Sequence, residues 1–317
     1  MIPAAGGDAR LLAHATAAIE RGSGSFAAAA RLFDARTRAG AVMLYAWCRH
    51  CDDTVDGQAL GHGQLHGDRD DAPARLAELR TRSQAVLRGE PAADAAHAAL
   101  AEVVRRHDIP PQLVLAHLDG FGMDVEDRAY RTLDDTLAYC YHVAGVVGMM
   151  MAMVMGVRDA ATLDRACDLG IAFQLTNIAR DVVDDARIGR VYLPADWLAE
   201  AGLSPRTLAD PDRREALAQV VARLLDAAEP YYDSARIGLR ALPGRCAWAV
   251  ATARGVYREI GVKVRARGAH AWDARVSTSR TEKLLHVAAG ATAVLHTRLP
   301  RPQAQRPAAR TGLWTRP

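Results

Sequence analysis

The chain has 317 residues, half of them hydrophobic and 24% charged, which is typical of a folded, soluble domain. A net charge of +3 at pH 7 is too small to indicate a nucleic-acid partner. Five scattered cysteines do not form a disulfide framework, so we expect a reducing compartment. The longest uncharged apolar run, Val143 to Val157, has 15 residues and is too short to span a bilayer. The sequence therefore predicts a cytoplasmic protein without an integral membrane segment.

Helical periodicity runs through the chain, and no alternating segment between turn signals is long enough to predict a sheet. Breaks at Gly, Pro and Ser separate the helices that we predict over residues 8–20, 25–38, 40–56, 73–88, 92–107, 111–123, 133–155, 160–184, 212–240, 246–267 and 279–296. The intervening residues 57–73 are rich in Gly, His and Asp and are predicted to form an exposed loop.

No linker rich in Pro, Gly and Ser interrupts residues 20–295, so the helices are predicted to form a single all-α domain. We divide the chain into an N-terminal helix or extension over 1–20, a helical-bundle domain over 21–296 and a tail over 297–317. Residues 298–317 hold five Arg, four Pro and no acidic residue. That composition is typical of a disordered basic tail.

The first polar motif lies at the end of a predicted apolar helix, in the stretch Tyr45 to Asp56. Residues four apart share a face of a helix, so Asp52 and Asp56 point the same way, with Arg49 one turn earlier. Two carboxylates this close repel each other, and the helix C-terminus adds partial negative charge. A Mg²⁺ or Mn²⁺ ion is the natural compensating charge. Taken alone, the motif fits a solvated acidic helix end equally well.

The second polar motif is a stripe of Gln174, Asn177, Asp181 and Asp185, spaced by three, four and four residues. Apolar positions flank the stripe, and buried amides and carboxylates are costly without partners. A loop from Gly189 to Pro194 follows it, which starts with glycine, contains an arginine and has the character of a lid. Two aspartate pairs that face each other across a helical bundle could hold several divalent ions around a diphosphate.

Two further patterns have alternative interpretations. Cys48 and Cys51 form a C-x-x-C pair, but no second pair and no βαβ unit accompany it, so we interpret both as core or wall residues. Five of the eight methionines fall between Met149 and Met155. They either pack the core or line a pliable pocket for a long apolar chain, where Gly145 and Gly148 would let a ligand approach the backbone.

The two motifs resemble those of the squalene/phytoene synthase family, and within it the bacterial enzymes that make phytoene. The matching stretches are Ser23–Phe26, Tyr45–Asp56, Tyr139–Gly148, Gln174–Pro194 and, more weakly, Arg275–Lys283. The resemblance implies a helical bundle of the isoprenoid (terpenoid) synthase type with a central active-site cavity. It also implies a prenyltransferase that joins two geranylgeranyl diphosphates head to head, through prephytoene diphosphate and with release of two diphosphates, into 15-cis-phytoene. That reaction is the first committed step of carotenoid biosynthesis.

The same resemblance implies roles for individual residues. The expected metal ligands are Asp52, Asp56, Asp181, Asp185 and Asn177. The expected diphosphate-binding residues are Ser23, Ser25, Arg49, Gln174, Asn177, Arg180, Arg275 and Lys283. The expected catalytic residues are Tyr45, Arg49, Tyr139, Arg180 and Tyr257. The implied cofactor is Mg²⁺ or Mn²⁺, and no NADPH is expected because the sequence has no nucleotide-binding glycine motif.

Three alternatives stay open from the sequence. A member of the same family could use farnesyl diphosphate to make dehydrosqualene or squalene. The string Asp52-Asp53-Thr-Val-Asp56 also satisfies the D-D-x-x-D pattern of head-to-tail elongating prenyltransferases. A non-catalytic helical assembly protein could keep the fold. For the preferred function, the insoluble product implies transient, peripheral contact with a membrane surface and contacts with the upstream and downstream carotenoid enzymes.

Overall fold

The computed structural model describes residues 11–17, 19, 29–59, 62–64, 71–298 and 310–317. Within these residues the chain is a bundle of α-helices, as predicted. Ser23 and Ser25, the predicted diphosphate ligands near the N-terminus, lie outside the described residues. From residue 35 onward the α-helices are, in chain order, α1 Ala35–Asp56, α2 Ala72–Leu87, α3 Ala95–His107, α4 Pro111–Val125, α5 Leu133–Cys140, α6 Val146–Val154, α7 Ala160–Arg187, α8 Ala195–Glu200, α9 Arg214–Gly238, α10 Gly244–Arg267 and α11 Arg280–Arg298.

The bounds of α1 follow from its capping residues. The Asp34 carboxylate accepts a hydrogen bond from the backbone N–H of Thr37 at 3.0 Å, which caps the start of the helix. The helix ends directly after the first aspartate motif, where Gly57 has a φ of 63°, a left-handed conformation that suits glycine. The predicted break between helices over 25–38 and 40–56 is therefore misplaced, because α1 runs without a break from Ala35 to Asp56 and a turn lies before it at residues 31–34.

Helix α7 occupies the centre of the bundle and packs against α6, α9 and α10. Its contact with the preceding helical segment is a contact between backbones. A Cβ atom added at Gly170 would lie 2.2 Å from the Ala144 carbonyl oxygen, and one at Gly148 would lie 2.4 Å from that of Ala166. Only glycine permits this approach. Gly148 therefore serves helix packing, in addition to lining a cavity described below.

The methionine-rich stretch divides between the two interpretations that the sequence left open. Met149, Met150 and Met153 are buried in the hydrophobic core. Met151 and Met155 line an apolar cavity, and Met155 is also buried in the core. The two cysteines of the C-x-x-C pair lie in α1 as free thiols, Cys51 buried and Cys48 partly exposed, in agreement with core and wall positions.

Two short elements depart from the prediction. Residues 57–73 are not wholly a loop, because strand β1, Gln58–Ala59, pairs antiparallel with strand β2, His62–Gln64. The short helix α8 follows the second polar motif and was not predicted. Its first turn is held by a backbone hydrogen bond of 2.9 Å from the Ala195 N–H to the Tyr130 carbonyl.

Helices α5 and α6 are joined by a π-helical segment, Tyr141–Gly145. Together they form one continuous helix from Leu133 to Val154 that is long and apolar enough to cross a membrane by length and composition, with a mean hydropathy of 1.6. In its most apolar stretch, 61% is buried inside the bundle. This burial is typical of the core helix of a globular domain.

Both ends of the chain pack against the bundle where they are described. Ala15 and Ile19 from the predicted N-terminal extension are buried in the main core. The tail differs from its prediction, because α11 extends to Arg298 and residues 310–317 contact the core. The Trp314 ring lies 5.6 Å from that of Tyr141. The prediction of disorder over 297–317 is wrong for these parts, since long-range contacts hold them, and residues 299–309 lie outside the described residues.

Candidate active site

Two adjoining cavities open between α1, α4, α7 and α10. The polar cavity, of about 520 Å³, is lined by carboxylates and arginines. The apolar cavity, of about 320 Å³, runs among α6, α7, α9 and α10. The two cavities share a boundary that includes Tyr45, Gln174 and Asn177. A charged head group and a hydrocarbon tail of one ligand would therefore find matching surroundings on either side of this boundary.

The first aspartate motif lies at one wall of the polar cavity, as predicted. Asp52 and Asp56 both line it. Arg49 lies between two carboxylates, with its guanidinium 2.9 Å from Asp52 and 2.6 Å from Asp53. Asp53 is not among the residues that line the polar cavity. Of the three aspartates in this motif, Asp52 and Asp56 therefore face the cavity, and Asp53 pairs with Arg49.

The second motif forms the facing wall, along α7. Asp181, Asp185 and Asn177 line the polar cavity, which brings both aspartate pairs together as predicted. The guanidinium of Arg180 makes two hydrogen bonds to Asp181, at 2.8 and 2.5 Å. Arg275 approaches the same carboxylate at 3.2 Å from a side chain that is 65% exposed. The structure therefore places both arginines beside the second motif.

The remaining predicted residues lie around the boundary and in the apolar cavity. Tyr139 lines the polar cavity, while Tyr257 and Lys283 line the apolar one. Tyr257 stacks on Phe173 with 4.1 Å between ring centroids. Burial raises the pKa of Tyr45 to about 12, so its phenol keeps its proton at neutral pH. Because Lys283 lines the apolar cavity and is not among the residues that line the polar one, this predicted diphosphate ligand lies on the hydrocarbon side of the boundary.

Sequence reasoning missed a cluster around Asp124. Its carboxylate lines the polar cavity and accepts hydrogen bonds from the phenols of Tyr139 at 3.1 Å and Tyr192 at 2.9 Å. The two tyrosine rings stack with 4.6 Å between centroids. Burial raises the pKa of Asp124 to about 6. A single aspartate near the end of a helix has no neighbouring motif in the sequence that could have marked it.

The polar cavity carries excess negative charge. Of the residues that the structure describes, five aspartates and three arginines line it. Burial, followed by the charge of Asp181, raises the pKa of Asp185 to about 7. Burial likewise raises the pKa of Asp52 to about 6, against the opposing effect of Arg49. These carboxylates lack sufficient positive charge, and oxygen donors of this kind suit Mg²⁺ or Mn²⁺. The residues present therefore fit a divalent cation.

A second group of potential metal ligands lies elsewhere. Ligand atoms of His50, Asp94 and His97 lie within 4.8 Å of one another. None of the three lines either cavity. Asp94 caps α3 through a 2.9 Å bond from the His97 backbone N–H and pairs with Arg82 at 3.2 Å. This group is therefore separate from the aspartate site.

Comparison with known proteins agrees with this geometry. The squalene/phytoene synthase family model matches residues 19–282. A phytoene synthase from Pseudescherichia vulneris is 56% identical over 97% of this chain and 98% of its own length. A 15-cis-phytoene synthase from Enterobacter agglomerans is 55% identical over 94% of this chain and 100% of its own length.

A solved structure supports the fold. The crystal structure of a dehydrosqualene synthase in complex with ligand matches with a TM-score of 0.82 at 26% identity, over 92% of this chain and 99% of that chain. This confirms the predicted all-α bundle of the isoprenoid synthase type. From the family match, the identities and the two facing aspartate motifs together, the chain belongs to the squalene/phytoene synthase family.

Proposed function

We propose that this protein is a 15-cis-phytoene synthase, a prenyltransferase that condenses two geranylgeranyl diphosphates head to head and releases two diphosphates. The observation that carries the proposal is near-full-length identity of 53–56% to bacterial phytoene synthases, combined with a polar cavity that continues into an apolar one. Prephytoene diphosphate is the intermediate between the two ionisation steps.

The polar cavity supplies charge for the departing diphosphate. A cavity with more carboxylates than arginines cannot hold a diphosphate by itself, so Mg²⁺ or Mn²⁺ would be held by Asp52, Asp56, Asp181, Asp185 and Asn177. Such ions supply Lewis-acid stabilisation of a leaving diphosphate. Arg49 and Arg180 lie next to the carboxylates that would bind the ions. They add fixed positive charge where negative charge develops on the leaving diphosphate. Such electrostatic stabilisation of the transition state is usually the largest contribution to the rate in a preorganised site.

The boundary between the cavities protects and orients the allylic cation. Tyr45 lies at this boundary and Tyr257 lines the adjoining apolar cavity, and aromatic faces stabilise cations. Phe173 and Met151 line the adjoining apolar cavity and exclude water, which would otherwise capture the cation as an alcohol. The double bond of the second substrate then attacks the cation, and loss of a proton closes the cyclopropane ring. The cyclopropyl diphosphate ionises in its turn, and ring rearrangement with loss of a second proton gives the central double bond.

The choice of substrate is tested by competition. Equal amounts of geranylgeranyl and farnesyl diphosphate are offered with Mg²⁺, and the extracted hydrocarbon is identified by mass. A forty-carbon hydrocarbon with a conjugated triene is expected. A thirty-carbon main product would contradict the substrate and favour the dehydrosqualene or squalene alternative. Consumption of added isopentenyl diphosphate would instead indicate a head-to-tail elongating enzyme.

The non-catalytic alternative is tested by a simpler measurement. An assembly protein that kept only the fold would have no need for carboxylates and arginines in the polar cavity, whereas both motifs are complete here. Diphosphate release that depends on Mg²⁺ is expected from the purified protein. Absence of release with either prenyl diphosphate would support the assembly protein.

We further propose that the protein works in the cytoplasm and contacts the membrane peripherally through α11, where upstream and downstream carotenoid enzymes could exchange insoluble compounds with it. Leu284 and Leu285 are 69% and 64% exposed, and the neighbouring Lys283 lines the apolar cavity. The double variant Leu284→Ser, Leu285→Ser should lose flotation with anionic vesicles and keep its activity in detergent. Val262→Ser, at another exposed apolar residue, is the control. Equal flotation of the two variants would contradict this surface.

A further inference from the structure

The C-terminal segment, residues 310–317, is joined to the protein interior by a buried ion pair. The Asp168 side chain on α7 is fully buried. Arg310 donates to both of its oxygens, from Nε at 2.8 Å and from Nη2 at 2.6 Å. Such a bidentate contact fixes the positions of both side chains. Its loss is costly in a buried site, because the carboxylate would be left without its charge partner.

A hydroxyl extends this ion pair toward the apolar cavity. Ser234 on α9 donates from Oγ to Asp168 at 2.5 Å. The same Oγ accepts a hydrogen bond of 3.1 Å from Nη1 of Arg165, which also donates to the Ser234 carbonyl at 3.3 Å. One hydroxyl thus uses its proton for the carboxylate and its lone pair for the second arginine. The chain of contacts runs from Arg310 through Asp168 and Ser234 to Arg165.

Arg165 forms part of the wall of the apolar cavity. Among the described residues that line this cavity, Arg165 and Lys283 are the only charged ones. Arg165 lies twelve residues before Asn177 in α7, about 18 Å of helix from the boundary with the polar cavity. Its stem lies against Gly238, where an added Cβ would be 3.0 Å from the Cβ of Arg165. The arginine therefore stands in the part of the apolar cavity remote from the aspartates, with Thr162 one helical turn beyond it.

We infer that Arg165 closes the far end of the hydrocarbon cavity, and that Arg310 holds it there through Asp168 and Ser234. The C-terminal segment thereby limits the length of the prenyl chain that reacts. This inference rests on the proposed function, because it assigns the apolar cavity to the prenyl chain. Arg165 is a specificity-determining residue at the chain terminus, and Arg310 and Ser234 are positioning residues.

The physical basis is the cost of a guanidinium in apolar surroundings. Ser234 keeps the charged end of Arg165 turned away from the ligand, so that its methylene stem faces the chain terminus. Without Arg310, the buried carboxylate of Asp168 has Arg165 as its nearest remaining cation in the network. Arg165 would then move toward Asp168, and the cavity would deepen.

The experiment compares geranylgeranyl diphosphate with geranylfarnesyl diphosphate, which is one isoprene unit longer. The quantity measured is the ratio of kcat/KM for the longer substrate to that for the shorter one. Arg165→Ala removes the obstruction and should raise the ratio roughly tenfold or more, as expected for hydrophobic length discrimination. Arg310→Met should raise it in the same direction. An unchanged ratio in Arg165→Ala would overturn the assignment of the cavity end.

Two further variants separate positioning from general damage. Ser234→Ala keeps the pair of Arg310 and Asp168 and the bond from Arg165 to the carbonyl of residue 234, but it removes the hydroxyl that joins Arg165 to Asp168. It should therefore fold and should raise the ratio in the same direction as Arg310→Met. Arg316→Met is the matched control. It removes a more exposed ion pair of the same segment, 2.7 Å from Asp164, and should leave the ratio unchanged. If Ser234→Ala matches the native ratio, or if Arg316→Met shifts the ratio equally, positioning by the C-terminal segment is wrong.

The test distinguishes this inference from the proposed function. If the native enzyme makes no forty-carbon hydrocarbon from geranylgeranyl diphosphate, the proposed function fails first. If it makes that hydrocarbon and the ratio is the same in all four variants, the inference alone fails. Where Arg310→Met does not fold, Ser234→Ala decides the positioning role and Arg165→Ala decides the cavity end.

Discussion

Arg190, in the loop after α7, reaches across the polar cavity to Asp56 at the end of α1, with its Nη2 atom 2.5 Å from Oδ1 and its Nη1 atom 3.3 Å from Oδ2. This contact joins the loop that follows the second aspartate motif in the sequence to the first aspartate motif. Arg190 thus supplies positive charge to a carboxylate that is a proposed metal ligand. If Asp56 held a metal ion, the guanidinium of Arg190 would be free to bind a diphosphate oxygen.

Replacement of Arg190 tests whether this residue serves both Asp56 and the diphosphate. Arg190→Gln should lower kcat by about a hundredfold, because a fixed cation near the leaving group is lost, while the fold stays intact. Arg187→Gln is the control, since that neighbouring arginine pairs with Asp184 at the surface and does not line the polar cavity. Steady-state kinetics over a range of Mg²⁺ concentrations would measure kcat for both variants. Equal losses in the two variants would contradict a role for Arg190 in the cavity.

The motif aspartates give the sharpest test of the metal site. Asp52→Asn and Asp181→Asn should each lower turnover at least about a hundredfold without lowering the Tm, because each removes a carboxylate from a crowded acidic cavity. Asp184→Asn is a matched control, adjacent in sequence to Asp185 but with 63% of its side chain exposed. Retention of more than a few per cent of native activity in the Asp52 variant would contradict metal-assisted ionisation.

Stability should depend on pH through Asp185. Its pKa is raised from the ordinary value of 3.8 to about 7, chiefly by burial. Between these two values the folded protein keeps a proton that the unfolded chain has released, so folding stability falls as the pH rises through this window. The Tm of the metal-free native protein should therefore fall relative to that of Asp185→Asn between pH 5 and pH 8.

The same experiment has an internal check. Mg²⁺ favours the ionised carboxylate, so its addition at pH 8 should raise the Tm of the native protein more than that of Asp185→Asn. Titrating groups outside the polar cavity affect both proteins alike and cancel in the difference. A Tm difference that stays constant with pH would show that the proton at Asp185 is not linked to folding.

Asp124 should support the site by holding two tyrosines. Asp124→Asn retains the shape but offers a single acceptor oxygen, so one of the bonds to Tyr139 and Tyr192 is lost. Turnover is expected to fall about tenfold or more, comparable to the loss of one oriented polar contact. Asp119→Asn, on the same helix and paired with Arg80, is the control. Identical kinetics for the two variants would leave Asp124 without a role in positioning.

The two aspartate motifs could be predicted because their geometry is local. Helical spacing alone places Asp181 and Asp185 on one face, and the flanking apolar positions of α7 indicate that this face meets the interior. Asp124 could not be found in this way, since its partners Tyr139 and Tyr192 are distant in the sequence and reach it only through the fold. The interaction of Arg190 with Asp56 depends on tertiary packing in the same way.

For the C-terminal segment, the sequence predicted disorder, whereas residues 310–317 are ordered against the core. Arginine and proline content predicted disorder there, because composition measures how little apolar surface a segment can bury. Composition does not reveal a specific buried hydrogen-bond acceptor such as Asp168, which lies 142 residues before Arg310 in the chain. The π-helical segment also had no recognisable sequence signal, although helical periodicity predicted the continuous helix around it.

The backbone contact at Gly148 and Gly170 has a consequence for how the cavity can change. Helices α6 and α7 touch there with no side chain between them, so no substitution on that seam can make the space larger, and any added carbon would separate the two helices. Besides Arg165 at its far end, the cavity must therefore adapt to other substrates at lining residues away from this contact, such as Ala249 and Ala253 of α10. A search for variants with altered products should begin there and should leave the glycine seam untouched.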